Sequence, residues 1–149
     1  MRSIILAAAL LVLSLTCISS ADPIRKAIDA AKVECKALDN GEFSTTEKTI
    51  QLADVTGDGR PEEILDASQF ACSTAASLYC GTGGCPITVI VDGKGHEFFG
   101  HGWKVFKWGK LPILLVRQHG SSCGSYGATP CVGAYTWSDG KFYSLKPPN

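Results

Sequence analysis

An excess of charge of either sign is missing from this chain. Fourteen Lys and Arg face fourteen Asp and Glu, and the sequence pI is near 6.8. A balanced composition offers no electrostatic case for gripping nucleic acid or anionic lipid. Long apolar runs are missing too, apart from Ile4 to Ile18, so no later segment reads as a membrane span. There is no internal repeat and no interdomain linker, and 149 residues leave room for one domain with a real core. What is present in quantity is Gly, Pro and Cys, at 16, 7 and 7 residues, the mark of a turn-rich β protein tied by disulfides.

Met1-Arg2, the apolar run Ile4–Ile18 and the small residues Ser19-Ser20-Ala21 have the order of a secretory signal peptide. The run is short of the about 18–20 residues that a bilayer span requires. Ser14-Leu15-Thr16-Cys17 lacks the small residue expected just before a lipidated Cys. Cleavage is therefore expected after Ala21, making residues 1–21 a removed signal and 22–149 a single domain in the periplasm or outside the cell.

Cleavage removes Cys17 and leaves Cys35, Cys72, Cys80, Cys85, Cys123 and Cys131. An even set in an exported chain reads as a disulfide framework. Cys123 and Cys131 bracket a Gly/Ser/Pro-rich loop between apolar segments and are expected to pair. Cys35 falls in a helix and is expected to reach Cys72, Cys80 or Cys85, leaving the other two to each other. Zinc is the rival reading, since Cys80-x4-Cys85 and His119-x3-Cys123 have tolerable ligand spacing. An oxidising compartment favours bridges.

Asp22-Pro23 suits a helix start, with Asp as cap and Pro in the first turn. Ile24, Ala27, Ile28, Ala31, Cys35 and Leu38 then recur at helical spacing, and Asn40-Gly41 ends the segment. From Thr45 onward the texture is β. Lys48, Ile50 and Leu52 alternate with Thr49, Gln51 and Ala53, a polar turn follows at Thr56–Arg60, and residues 63–66 return. Residues 68–85 look irregular. Strands are expected at 87–91, 97–99, 103–108, 111–116, 135–137 and 141–144, joined by short turns such as Asp92-Gly93 and Gly109-Lys110. The expected fold is α+β: an N-terminal amphipathic helix packed on one mostly antiparallel sheet of about six to seven short strands, disulfide-bridged.

Asp54, Thr56, Asp58, Arg60 and Glu62 carry the sharpest chemistry. Side-chain oxygens stand at relative positions 1, 3, 5 and 9, Arg60 at position 7 offers a backbone carbonyl, and Gly59 at position 6 permits the sharp turn. Calcium takes six to eight hard oxygens from such loops. The segment resembles the DxNGDGxxD loop of FG-GAP and VCBS-type repeats, with Thr56 in place of the usual Asp or Asn and Glu62 in place of the usual Asp. Leu65 at position 12 excludes an EF-hand. With one carboxylate missing, binding is expected to be weak, about 10⁻⁴ to 10⁻³ M, and to staple the loop rather than catalyse. The opposing reading is a polar turn whose Asp side chains hold backbone N–H groups.

Cys80-Gly-Thr-Gly-Gly-Cys85-Pro, His119-Gly-Ser-Ser-Cys123-Gly, Pro130-Cys131-Val and Trp137-Ser-Asp-Gly-Lys-Phe142 together resemble a family of small exported proteobacterial proteins with a single DxxGDGxxE-type loop. The resemblance spans about Leu52 to Phe142. It implies export and bridging and carries no activity to transfer.

His96 and His101 are five apart, so a regular strand points them to opposite faces, and each is expected to be solvated or singly bonded. His119-Gly120-Ser121-Ser122-Cys123 places a base beside hydroxyls, but triad partners come from distant segments. Trp103, Phe106, Trp108, Tyr135 and Trp137 read first as core. Trp103 and Trp108 are five apart and so face opposite ways, leaving one free for recognition, with Arg117, His119 and Tyr126 as its rim. The sequence thus points to a non-enzymatic exported module for a protein or glycan of the cell envelope, inhibitor-like in kind. A small periplasmic hydrolase using the His119–Cys131 loop or the calcium site is one alternative. A structural envelope protein is the other.

Overall fold

The computed structural model describes residues 22–145, so the expected signal peptide lies outside the described residues. Helix α1 (Pro23–Ala37) begins as its sequence requires: Asp22 caps it by accepting the Ile24 N–H at 3.0 Å. Its stripe buries Ile24, Ala31 and Cys35, while Val33 stays exposed.

Ten strands follow. β1 (Phe43–Thr45) and β4 (Phe70–Cys72) form a small ribbon. β2 (Ile50–Ala53), β3 (Glu62–Asp66), β5 (Cys85–Val91) and β6 (Lys94–Gly100) form the first four-stranded sheet in the order β2-β3-β5-β6. β7 (Trp103–Trp108), β8 (Leu111–Gln118), β9 (Cys131–Ser138) and β10 (Lys141–Ser144) form the second, in the order β10-β9-β8-β7. Every pairing is antiparallel, as short connections require.

The α+β, disulfide-bridged class agrees with the sequence reading; the single sheet of six to seven strands does not. Two four-stranded sheets stack face to face with the helix on the far side of the first. Ile64, Ile87, Val89 and Val91 of the first sheet meet Leu114 and Val116 of the second, and Val55 joins them from the loop after β2. Phe98 and Tyr135 close the same layer at 4.8 Å between ring centroids. A strand run that alternates cleanly shows that one face is buried but not which sheet it belongs to. The supposedly irregular segment 68–85 holds β4, a strand too short to show any alternation. In β2 the faces are the reverse of the hydrophobic expectation. Ala53 packs on the core, while Ile50 and Leu52 point outward, Ile50 beside the helix.

Three disulfides join all six expected cysteines. Cys35–Cys72, Cys80–Cys85 and Cys123–Cys131 have Cα separations of 5.6, 4.4 and 5.9 Å. The first ties the helix to β4, and Tyr79 adds a hydrogen bond from its hydroxyl to the Ala31 carbonyl at 2.8 Å. The second closes a four-residue loop at the start of β5. There Gly84 has φ +120, and a Cβ would fall 2.3 Å from the Gly100 carbonyl carbon, so no other residue fits. No helix among the described residues is long and apolar enough to cross a membrane.

Candidate functional site

Three places carry chemistry. The loop between β2 and β3 is held by its own donors. Asp54 Oδ1 accepts the Gly57 N–H at 2.7 Å, and Asp54 Oδ2 accepts from Lys107 Nζ at 3.0 Å, across from β7. Asp58 accepts from the Arg60 backbone N–H at 2.8 Å and its side chain pairs with the Arg60 guanidinium. Glu62 Oε2 accepts the Val55 N–H at 2.8 Å, and Thr56 Oγ1 donates to Glu62 Oε1 at 3.2 Å. The donor chemistry fits a hard cation, but Lys107 and Arg60 already neutralise two of the three carboxylates. Among the described residues no group of three His, Cys, Asp or Glu is placed to hold a metal.

Lys107 holds the Asp54 carboxyl below its ordinary value, the Gly57 N–H adding to the effect. Arg60, through its backbone N–H and then its side chain, does the same for Asp58. A general acid needs the opposite shift. An open cleft of about 520 Å³ adjoins this loop, lined by Asp58, Arg60, Glu62, Glu63, Asp92 and Trp137.

The second place is the bridged loop between β8 and β9. His119 precedes a single 3₁₀ turn, Gly120–Cys123, and acts as its cap: the ring Nδ1 accepts the Ser121 N–H at 3.3 Å and lies 2.7 Å from Ser121 Oγ. The pair that looked like base and nucleophile is thus a local capping arrangement. A Cβ at Gly120 would lie 1.6 Å from the Tyr126 carbonyl oxygen, so the loop is folded tightly back on its own backbone. Tyr126 projects from it at 86% exposure. Arg117 is turned to the carbonyl of His101, 2.8 Å away.

The third place is the outer face of the second sheet. Trp103 packs against the core, whereas Trp108, on the other face of β7, is 74% exposed. Beside Trp108 stands its cross-strand partner Leu111, and Phe106 stands beside Ile113. Tyr143 of β10 pairs with Thr136, and Leu145 donates its N–H to the Ala134 carbonyl, extending the face across all four strands. Phe106, Leu111, Val132, Tyr143 and Leu145 are each at least 40% exposed. No family model, curated protein or solved structure matches the chain.

The structure does not assemble the expected recognition set as one surface. Trp103 belongs to the interior, Trp108 to the outer face, and His119 and Tyr126 to the bridged loop. Leu111, Val132, Tyr143 and Leu145 were missed as surface residues. The signal was present in Leu111-Pro-Ile-Leu-Leu-Val116, where consecutive apolar residues make both faces of one strand greasy.

His96 departs from the solvated or singly bonded expectation. Its ring packs edge-on against Trp137 and Phe142, at 5.0 and 5.5 Å, and its Nε2 is buried without a hydrogen-bond partner. Burial, and secondarily Lys94, hold the imidazole below the ordinary value of 6.5. The unfolded chain then takes up a proton at a higher pH than the folded one, so stability present above pH 6.5 is lost as the pH falls through the folded value. Urea unfolding at about pH 7.5 and about pH 5 should show this loss, and His96→Phe should flatten it. An unchanged slope in that variant would refute the assignment.

Proposed function

We propose that the protein is an exported, non-enzymatic binding module of the cell envelope that meets its partner through the outer face of the second sheet. The observation that carries this reading is Trp108, 74% exposed at the corner of a contiguous apolar face on a rigid, bridged sandwich. Exposed apolar side chains are normal singly; a contiguous sheet face of them is the mark of an interaction surface. Periplasmic or secreted residence is supported by three disulfides and by the signal-like first 21 residues.

Immobilised oxidised protein, residues 22–149, incubated with envelope extract should retain material that a Phe106→Ser/Trp108→Ser variant does not. Both side chains lie outside the core, so the variant should keep the wild-type melting temperature. Equal retention by wild type and variant would remove the face from the account.

For the loop between β2 and β3 we propose weak calcium binding that stabilises without catalysing. Hard oxygens at the right sequence spacing support it. An entering ion must displace Lys107 from Asp54 and Arg60 from Asp58. Millimolar calcium should therefore raise the melting temperature relative to EDTA, Lys107→Met should enlarge that response, and Asp58→Ala should abolish it. Identical melting in calcium and EDTA would mean that the internal hydrogen bonds alone hold the loop.

A further inference from the structure

The neutral total conceals a separation of charge. Residues 22–100, which build the helix, the ribbon and the first sheet, carry thirteen Asp and Glu against seven Lys and Arg. Residues 101–145, which build the second sheet and its loops, carry five Lys and Arg against the single acid Asp139. A balanced total does not by itself decide attraction to anionic lipid, because the field at a surface depends on where charges stand and not on their sum.

The alternation along the strands decides which charges share the apolar face. Val105 and Trp103 pack inward, which turns Lys104, Phe106 and Trp108 outward. Leu114 and Val116 are buried, which turns Leu111, Ile113, Leu115 and Arg117 outward. Phe142 packs inward, which turns Lys141 and Tyr143 outward, with Lys141 Nζ 4.7 Å from the Tyr143 ring. The charged residues at these outward strand positions are therefore all cationic.

We propose that this face docks on an anionic lipid surface, an inference that rests on the preceding assignment of the face as the binding surface and names its partner. Charge complementarity selects the occupant. A second copy meeting face to face would bring like charges together. A folded protein partner would look for hydrogen bonds at roughly one per 100–200 Å². Apart from the cations Lys104, Arg117 and Lys141, the face offers few neutral hydrogen-bonding groups, since Ser138 donates to its neighbour Asp139 and the Thr136 hydroxyl is shielded and unpartnered. A bilayer interface needs none of these. Trp and Tyr settle at the headgroup level. Lysines lay their methylene stems on apolar surface and extend their ammonium groups to phosphates.

Co-sedimentation with vesicles of phosphatidylcholine, and of phosphatidylcholine with about 30% phosphatidylglycerol, tests the proposal. The oxidised protein should bind the anionic vesicles and leave the neutral ones largely bare, and about 0.5 M salt should weaken that binding. Lys104→Gln and Lys141→Gln should each weaken it roughly fivefold, as expected near about 1 kcal/mol per basic residue at such a surface. Phe106→Ser/Trp108→Ser should abolish it with the melting temperature unchanged, and the blue shift of tryptophan emission on binding should vanish with Trp108. Failure to bind anionic vesicles, or equal binding by the double variant, overturns the lipid assignment. If vesicles fail while the same variant still loses material captured from envelope extract, the face remains the binding surface and its partner is an acidic protein or glycan. If both assays are indifferent to the variant, the two readings fall together.

Discussion

Replacing Cys35 and Cys72 together with serine should lower the unfolding free energy by about 4 kcal/mol, the largest loss from any one bridge. The bridge closes a segment of 37 residues, against 8 for Cys123–Cys131 and 5 for Cys80–Cys85. Constraint of the unfolded chain grows with the logarithm of loop length, so the same relation gives about 2.5 and about 2 kcal/mol for the shorter loops. The Cys35–Cys72 bridge also does something the others do not. It ties α1 to β4, whose other attachments include a three-residue pairing with β1. The expected outcome is a lower urea midpoint and early exposure of the helix in hydrogen exchange, with the two large sheets protected longer. Should Cys80→Ser/Cys85→Ser cost more than Cys35→Ser/Cys72→Ser, the entropic ranking is wrong and local geometry governs.

The second large effect separates the two faces of β8. Leu114→Ala should cost 2–5 kcal/mol, because Leu114 is 1% exposed in the layer between the sheets and its removal leaves a cavity. Leu111→Ser, three residues earlier on the same strand, should stay within about 0.5 kcal/mol, because its side chain is 45% exposed on the outer face. Chemical denaturation of the two variants measures the contrast directly. Similar losses would mean that the outer face is packed rather than free, and the binding account would lose its surface.

Much of the local structure was legible in the residues. Asp22-Pro23 and the stripe through Ile24, Ala31 and Cys35 specify the helix and its buried side. Asp92-Gly93, Gly109-Lys110 and Asp139-Gly140 mark tight turns where the backbone takes positive φ. The Cys123–Cys131 pair followed from the loop it brackets, while the partner of Cys35 stayed open because sequence distance carries no spatial information. The two-sheet arrangement was not legible. A period of two says that one face of a strand is buried, and it is silent on which sheet covers it. The reversed faces of β2 show the limit: Ile50 and Leu52 are outward because the register with β3 places Gln51 opposite the buried Ile64.

The candidate site was half legible. The opposition of Trp103 and Trp108 follows from strand geometry. The Asp54–Lys107 ion pair joins the loop after β2 to β7 of the other sheet, and nothing local to either residue announces it. The cationic bias of the second sheet was written in the sequence but hidden by counting the chain as a whole.

Hydroxyl-radical footprinting of the oxidised protein, free and bound to envelope membranes, tests the central claim most directly. The expected result is reduced labelling of Phe106, Trp108 and Tyr143 on binding, with Val33 of the helix and Tyr126 of the bridged loop unchanged. Protection centred instead on the cleft between Asp58 and Asp92, with Trp108 labelled as in the free protein, would contradict it.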